Sequence, residues 1–268
     1  MQYIKYMCMF GMAVSLLMGG CAPGLQKKEL DWLPQEVPPE ISNEVEKSEE
    51  VQEEPEETYE VAQKVLVVGN SITLGFGTHG MASSAVDTDY YYLLNQYLLE
   101  KNPEVQMKRI PGYAWESGTS TEARNKFLEE TLKPELRAGY DTLIIQLGDN
   151  VNMPEKLTTF ANDADEMLRV IRETTPEIRI LWVFGRYNLS NAVAIQQACK
   201  KHDAEYVDIS VVSTGKKYQA EMNSEYEKED GTIGIIQDHG VASHPNDVAM
   251  KVISELIIEQ LDYDEKGQ

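Results

Sequence analysis

Two short runs constrain this chain more than anything else in it. Lys64-Val65-Leu66-Val67-Val68-Gly69 and Thr142-Leu143-Ile144-Ile145-Gln146-Leu147-Gly148 are apolar, rich in β-branched residues and closed by glycine. Runs so short and so continuously apolar leave no polar face for water, which fits strands buried on both sides of a parallel sheet. Residues 105–110, 178–184 and 205–209 supply three more strands. Between them fall helical stretches over 89–99 (closed by Pro103), 121–132, 154–174 and 190–201. A last helix over 245–261 carries Pro245 in its first turn, where a missing N–H costs nothing. In the 154–174 helix, Leu157, Phe160, Ala161, Ala164, Leu168 and Ile171 recur on one face. Strands and helices that alternate in this way predict an α/β fold, a five-stranded parallel sheet with helices on both faces. In such sheets, sites form at the carboxyl ends of the strands.

The rest of the chain is organised around this domain, which is expected to span residues 63–264. Phe10 to Met18 is an apolar run after a weakly basic start at Lys5, too short to cross a bilayer comfortably, and Gly19-Gly20-Cys21 follows. Residues 1–20 therefore fit a signal segment. Leu17-Met18-Gly19-Gly20-Cys21 resembles a bacterial lipobox, with Met18 where Leu is usual, and the resemblance implies that Cys21 is lipidated and becomes the first residue of the mature chain. Residues 21–62 are rich in Glu and Pro, with Glu49-Glu50, Glu53-Glu54 and Glu56-Glu57 repelling one another. A stretch with so little to bury is expected to stay a solvated tether, spanning on the order of 35 Å. The net charge of −21 would repel phosphates and argues against nucleic acid as a partner, while leaving neutral or cationic substrates open.

Three strand ends carry residues that a plain sheet does not need. The first gives Gly69-Asn70-Ser71-Ile72-Thr73, the second Pro111-Gly112-Tyr113 and the third Gly148-Asp149-Asn150; His244-Pro245-Asn246-Asp247 follows near the C-terminus. Ester cleavage by a serine needs a nucleophile, a base, and donors aimed at the developing oxyanion. Ser71 stands just past a strand and its glycine. Gly112 can offer a backbone N–H, Asn150 a side-chain amide, and His244 can take the serine proton. Each residue also has a plainer use: Ser71 as a helix cap, Asn150 as a turn former, Gly112 as a backbone necessity, and His244 as a cap or exposed residue before Pro245.

These four pieces, in this order and on these elements, resemble the signature blocks of the SGNH (GDSL-like) hydrolases over about residues 64 to 262. The resemblance implies a three-layer α/β/α flavodoxin-like fold. It also implies Ser71 as nucleophile, His244 as general base and then acid, and an oxyanion hole made of the Ser71 and Gly112 N–H groups and the Asn150 side chain. Gly69-Asn70-Ser71-Ile72-Thr73-Leu74-Gly75 is similar to the opening of carbohydrate acetylesterases, including those of carbohydrate esterase family two. The family usually places Asp three residues before the histidine; here that residue is Val241, with Asp238 six before and Asp247 three after. Two arrangements are open: a Ser–His dyad oriented by a backbone carbonyl, which the family-two resemblance favours, or Asp238 reaching round Gly240 as third member of a triad.

Other residues near these blocks have two readings each. His79 lines an acyl or sugar site, or lies in a surface loop. Trp115 borders the pocket, or packs in the core as tryptophans more usually do. His239 is a pocket residue or, as the simpler reading, a loop histidine without a role, and His202 fits one that complements a helix end. Cys199, inside a helical stretch, fits a small buried apolar residue. No histidine pair has helical metal-ligand spacing, no paired cysteines occur, and no phosphate-binding or dinucleotide fingerprint is present, so no metal or cofactor is expected.

The function expected is therefore a lipid-anchored serine esterase outside the cytoplasm, removing O-acetyl groups from carbohydrate. A lipase or lysophospholipase is the second possibility, though the stretch between Ser210 and Asp238 is polar and charged where an apolar acyl channel would be needed. A non-catalytic glycan-binding surface protein, suggested by Val241, is the third. If Cys21 carries the lipid, Cys21→Ser will release the protein from the membrane fraction or block its processing, as fractionation will show. Wild-type protein free in the medium would contradict the anchor.

Overall fold

A computed structural model of the chain describes residues 62–213 and 215–263. All of these belong to Glu56–Gln268, one of the two units into which the chain divides. The expected signal segment, Cys21 and the acidic tether up to residue 61 lie outside the described residues.

Five strands form the central sheet: β1 (Lys64–Gly69), β2 (Gln106–Pro111), β3 (Thr142–Gln146), β4 (Arg179–Phe184) and β5 (Glu205–Asp208). Their order is β2-β1-β3-β4-β5, and every pairing is parallel. Side chains alternate across it as strand geometry requires. Val65 and Val67 of β1 face one way, with Ile144, Leu181 and Val207, against α2 (Tyr90–Lys101) and α9 (Asp247–Tyr263). Leu66 and Val68 face the other way, with Leu143, Ile145 and Trp182, against α4 (Thr121–Phe127), α5 (Lys133–Leu136), α6 (Pro154–Thr174) and α7 (Ala192–Lys201). The result is the three-layer α/β/α arrangement expected from the alternation. The chain leaves β1 on one side for β2 and on the other for β3, so the reversal point, where ligands bind in open α/β sheets, lies at the carboxyl end of β1.

Departures from the sequence expectation have physical causes. The 121–132 helix continues to Leu136 through a wide π turn at Leu128–Leu132. Pro134 has no N–H to give and its ring crowds the carbonyl four residues back, and the wide turn absorbs both. Leu157 and Ala161 of α6 are exposed, and the inward positions near them are Lys156, Phe160 and Asp163. The cause is Arg124, buried above Trp115: its guanidinium pairs with Asp163 and donates to Lys156 O at 2.9 Å, so the first turns of α6 roll a polar edge inward. The last helix begins at Asp247, and Pro245 instead bridges to Gln219. Four short pieces carry too few residues for a periodic signal: α1 (Ser71–Leu74), α3 (Tyr113–Ser117), α8 (His239–Ala242), and an antiparallel hairpin of β6 (Glu225–Glu227) and β7 (Ile233–Ile235). Three of the four lie beside the residues singled out for chemistry.

Candidate active site

The serine turn is built by Asn70. Its side-chain oxygen accepts from the Ile72 N–H at 3.0 Å and caps α1, so the chain bends sharply out of β1 and sets Ser71 at the first helical position. The Ser71 N–H is then a first-turn amide, with no acceptor inside the helix. Gly75 and Met81 both donate to the Ser71 carbonyl, at 2.9 and 2.8 Å, and fix the turn from behind.

His244 reaches this serine from the other end of the sequence. Its Nε2 lies 2.9 Å from Ser71 Oγ, and its Nδ1 lies 2.8 Å from the Gly240 carbonyl oxygen. A carbonyl only accepts, so Nδ1 carries the hydrogen and Nε2 presents a lone pair to the serine. Asp238 does not take part. It caps α8, its carboxylate accepting from the Val241 N–H at 3.1 Å. Of the two groups left open by the sequence, the one that meets Nδ1 is the backbone carbonyl and not the Asp238 carboxylate. The short α8 explains it: one helical turn brings residue 240 beneath residue 244, an i to i+4 spacing that puts the Gly240 carbonyl where a triad would need a carboxylate.

The histidine loop is held by β4's exit. Arg186, buried, donates to Ser243 O at 3.0 Å, to Tyr218 O at 3.3 Å and to Val212 O. Tyr187 donates its hydroxyl to Ser243 O at 3.1 Å and sets its ring edge-on to His244, with centroids 5.7 Å apart. Burial lowers the His244 pKa below the ordinary imidazole value, against the opposing pull of the Gly240 and Val241 backbone, and the nearby Arg186 charge acts in the same direction as burial. The imidazole is thus biased toward its neutral form.

The expected oxyanion donors fare differently. Asn150 stands at the carboxyl end of β3, half-buried, with a side-chain N–H engaged by Glu116 Oε2 at 2.7 Å and a second N–H left over. Gly112 does not serve as expected. Its N–H donates to Gly69 O at 2.7 Å and is spent joining β2 to β1. Glycine is required there for space, since a Cβ would meet Leu147 side-chain carbons at 2.7 and 2.9 Å. The two pocket residues are also corrected. His79 is fully buried, beside Phe76, with Nδ1 3.0 Å from Thr78 Oγ1; burial lowers its pKa, and it lines no open surface. Its loop is drawn in by Arg109, which donates to Thr78 O and pairs with Asp89 at 2.5 Å. Trp115 is wholly buried, edge-on to Phe160 and Trp182, and belongs to the core.

Beneath the site lie polar residues that no motif or spacing in the chain singles out. Glu116 is fully buried between the serine turn and the end of β3. Asp149, also buried, accepts from Gln146 Nε2 at 2.8 Å and from the Tyr187 N–H at 3.1 Å, and so ties β3 to the segment that holds the histidine loop. Burial first, and then the neighbouring Glu116 carboxyl, push its pKa up to about 7. A single carboxyl within a helical segment such as Tyr-Ala-Trp-Glu-Ser has no spacing that marks it.

No protein-family model matches the sequence, and no curated protein does. Among solved structures the chain is similar to an acetyl xylan esterase from Butyrivibrio proteoclasticus, at 12% identity and a TM-score of 0.48, over 77% of this chain and 65% of that one. It is similar also to a family two carbohydrate esterase from Cellvibrio japonicus, at 15% identity and a TM-score of 0.48, over 76% of this chain and 61% of that one. A third is phospholipase A1 from Streptomyces albidoflavus NA297, at 11% identity and a TM-score of 0.48, over 74% of this chain and 99% of that one. The chain thus spans less than two thirds of the length of either carbohydrate-active enzyme.

The Asp149 shift has a consequence for stability. Its folded pKa is raised from 3.8 to about 7, so its contribution to stability is fully present below the unfolded value and is lost as pH rises through 7. Asp149→Asn removes that loss. The difference in melting temperature, variant minus wild type, is expected to grow from pH 4 to pH 8 and to level off above. Parallel curves would show that Asp149 does not titrate in this range.

Proposed function

We propose that this chain is an SGNH-type serine ester hydrolase, anchored by lipid at Cys21 outside the cytoplasm and tethered through residues 21–62, that removes O-acetyl groups from carbohydrate. One observation carries the catalytic part: a serine oxygen 2.9 Å from an imidazole nitrogen whose ring partner is held by a carbonyl at 2.8 Å. The anchor and the substrate rest on the sequence.

In this mechanism Ser71 Oγ attacks the ester carbonyl carbon while His244 Nε2 takes its proton. The carbonyl oxygen becomes an oxyanion and is met by the Ser71 N–H and the free Asn150 Nδ2–H. The imidazolium formed is stabilised through its Nδ1–H by the Gly240 carbonyl. His244 then gives the proton to the departing alcohol, leaving an acyl-serine. Water repeats the sequence with His244 as base, releasing the acid and restoring Ser71. The Gly240 carbonyl also weakens the case for a non-catalytic scaffold, because Val241 in place of aspartate was the ground for it.

A longer, apolar acyl group is the second reading. Met153 and Leu189, in the stretches that follow β3 and β4, are exposed large apolar side chains. Acetate release from acetylated xylan, mannan and peptidoglycan, set against release of longer acids from lipid esters, separates the two.

Ser71→Ala is expected to abolish hydrolysis of any of these esters without unfolding the protein. Asp238→Asn is expected to keep activity within about threefold of wild type, because no carboxylate orients the base; a triad carboxylate lost in this way costs about 10⁴-fold in kcat. Retained activity in Ser71→Ala would remove the nucleophile, and a loss of several orders of magnitude in Asp238→Asn would restore the triad.

A further inference from the structure

Glu116 is a buried carboxyl with four partners, and all four are N–H groups. Oε1 accepts from Asn70 Nδ2 at 3.1 Å, from the Gly148 N–H at 2.6 Å and from the Asn150 N–H at 3.3 Å; Oε2 accepts from Asn150 Nδ2 at 2.7 Å. A carboxylate has about four acceptor positions, so none is left for a substrate or for water. A charged group so fully buried is costly unless it is met on every side. What it meets is the serine turn on one side and the proposed oxyanion donor on the other.

We propose that Glu116 is a positioning residue for ester hydrolysis: it fixes which atom of the Asn150 amide faces the reacting carbonyl, and it locks that donor to the turn that carries Ser71. This deepens the esterase assignment and rests on it. An Asn side chain is nearly symmetric in shape and can turn over at little steric cost, exchanging its oxygen and nitrogen. A carboxylate accepts only, so it forces Nδ2 toward itself. The second Nδ2–H then has one direction left, set by the plane of the amide. Turned over, Asn150 would aim an oxygen lone pair at the developing oxyanion and repel it. The same logic applies to Asn70. Glu116 takes its Nδ2, which leaves Oδ1 for the Ile72 N–H and so secures the cap that exposes Ser71. The two backbone N–H groups of Gly148 and Asn150 hold the β3 exit at the same carboxyl. Gly148 adopts φ +122° there, a conformation that favours glycine, so the loop needs such a hold to keep its shape.

Glu116→Gln keeps the size and puts an N–H donor where Oε1 or Oε2 stood, which removes the preference for Nδ2. The expected result is a fall in kcat of about ten- to a hundredfold with KM within about twofold, short of the loss of a whole donor. A residue that only supported the fold would lower the amount of folded protein and leave kcat per active site, titrated with a serine-directed phosphonate, unchanged. In an Asn150→Ala background, Glu116→Gln is expected to cost clearly less than it does in the wild-type background, because the donor it orients is gone and only its hold on the serine turn is left to lose. An unchanged kcat in the single variant, or a full multiplicative loss in the double variant, would overturn the proposal. A second measurement needs no change at Glu116. In wild-type protein one Asn150 side-chain amide proton, assigned by comparison with Asn150→Ala, is expected to resonate downfield and to exchange with water at least tenfold more slowly than that of an exposed asparagine. Free exchange of both protons would overturn the proposal even if Glu116→Gln does not fold. Wild-type protein that cleaves no ester, or activity that survives Ser71→Ala, is a different failure. It removes the esterase assignment, and the amide exchange still reports separately on the hold of Glu116 on Asn150.

Discussion

An imidazole can take a proton from a serine only if its other nitrogen already holds one. In this chain that condition rests on a single contact, the 2.8 Å approach of His244 Nδ1 to the Gly240 carbonyl. A carbonyl carries no charge, so it stabilises the imidazolium less than a carboxylate would. It also cannot be protonated at any relevant pH, and it comes with the backbone. The cost is that its position must be guaranteed by the loop. Asp238 caps α8, so its carboxylate supports the turn that carries the Gly240 carbonyl and does not meet the imidazole. Arg186 and Tyr187 complete the hold by fastening Ser243 to the end of β4.

The other half of the site is held by buried acids instead of by backbone. Glu116 binds the serine turn to the β3 exit, and Asp149 binds that exit to the segment carrying Tyr187. Together they run under the carboxyl ends of β1, β3 and β4, the strands that present Ser71, Asn150 and the supports of His244. Two carboxyls side by side in a buried setting cannot both be charged cheaply, and the strain falls on Asp149, whose pKa burial and Glu116 raise to about 7.

What was legible in the sequence follows from range. The strands were plain because Val65 to Val68 and Leu143 to Ile145 are buried on both faces, and such runs have one good explanation. Ser71 and Asn150 stood out because they follow the ends of β1 and β3, and His244 because its block completes an order that resembles a known pattern. Gly112 misled for a reason visible only in three dimensions: its N–H pairs with Gly69, and its lack of a side chain makes room for Leu147. His79 and Trp115 lay beside motif residues in sequence, but Arg109 draws one loop inward and the core takes the other. Glu116 was invisible because its partners at 70, 148 and 150 are brought to it only by the sheet order. Leu157 faced outward because Arg124, from another helix, claimed the polar edge of α6.

The most direct measurement of the central claim is the tautomer of His244, read from the ¹⁵N resonances of its ring in wild-type protein across pH. The dyad predicts a protonated Nδ1 and a bare Nε2 at neutral pH, with titration below the ordinary imidazole value of 6.5 and the Nδ1–H signal unchanged in Asp238→Asn. A neutral ring protonated at Nε2, or an Nδ1–H signal that depends on the Asp238 carboxylate, would contradict it.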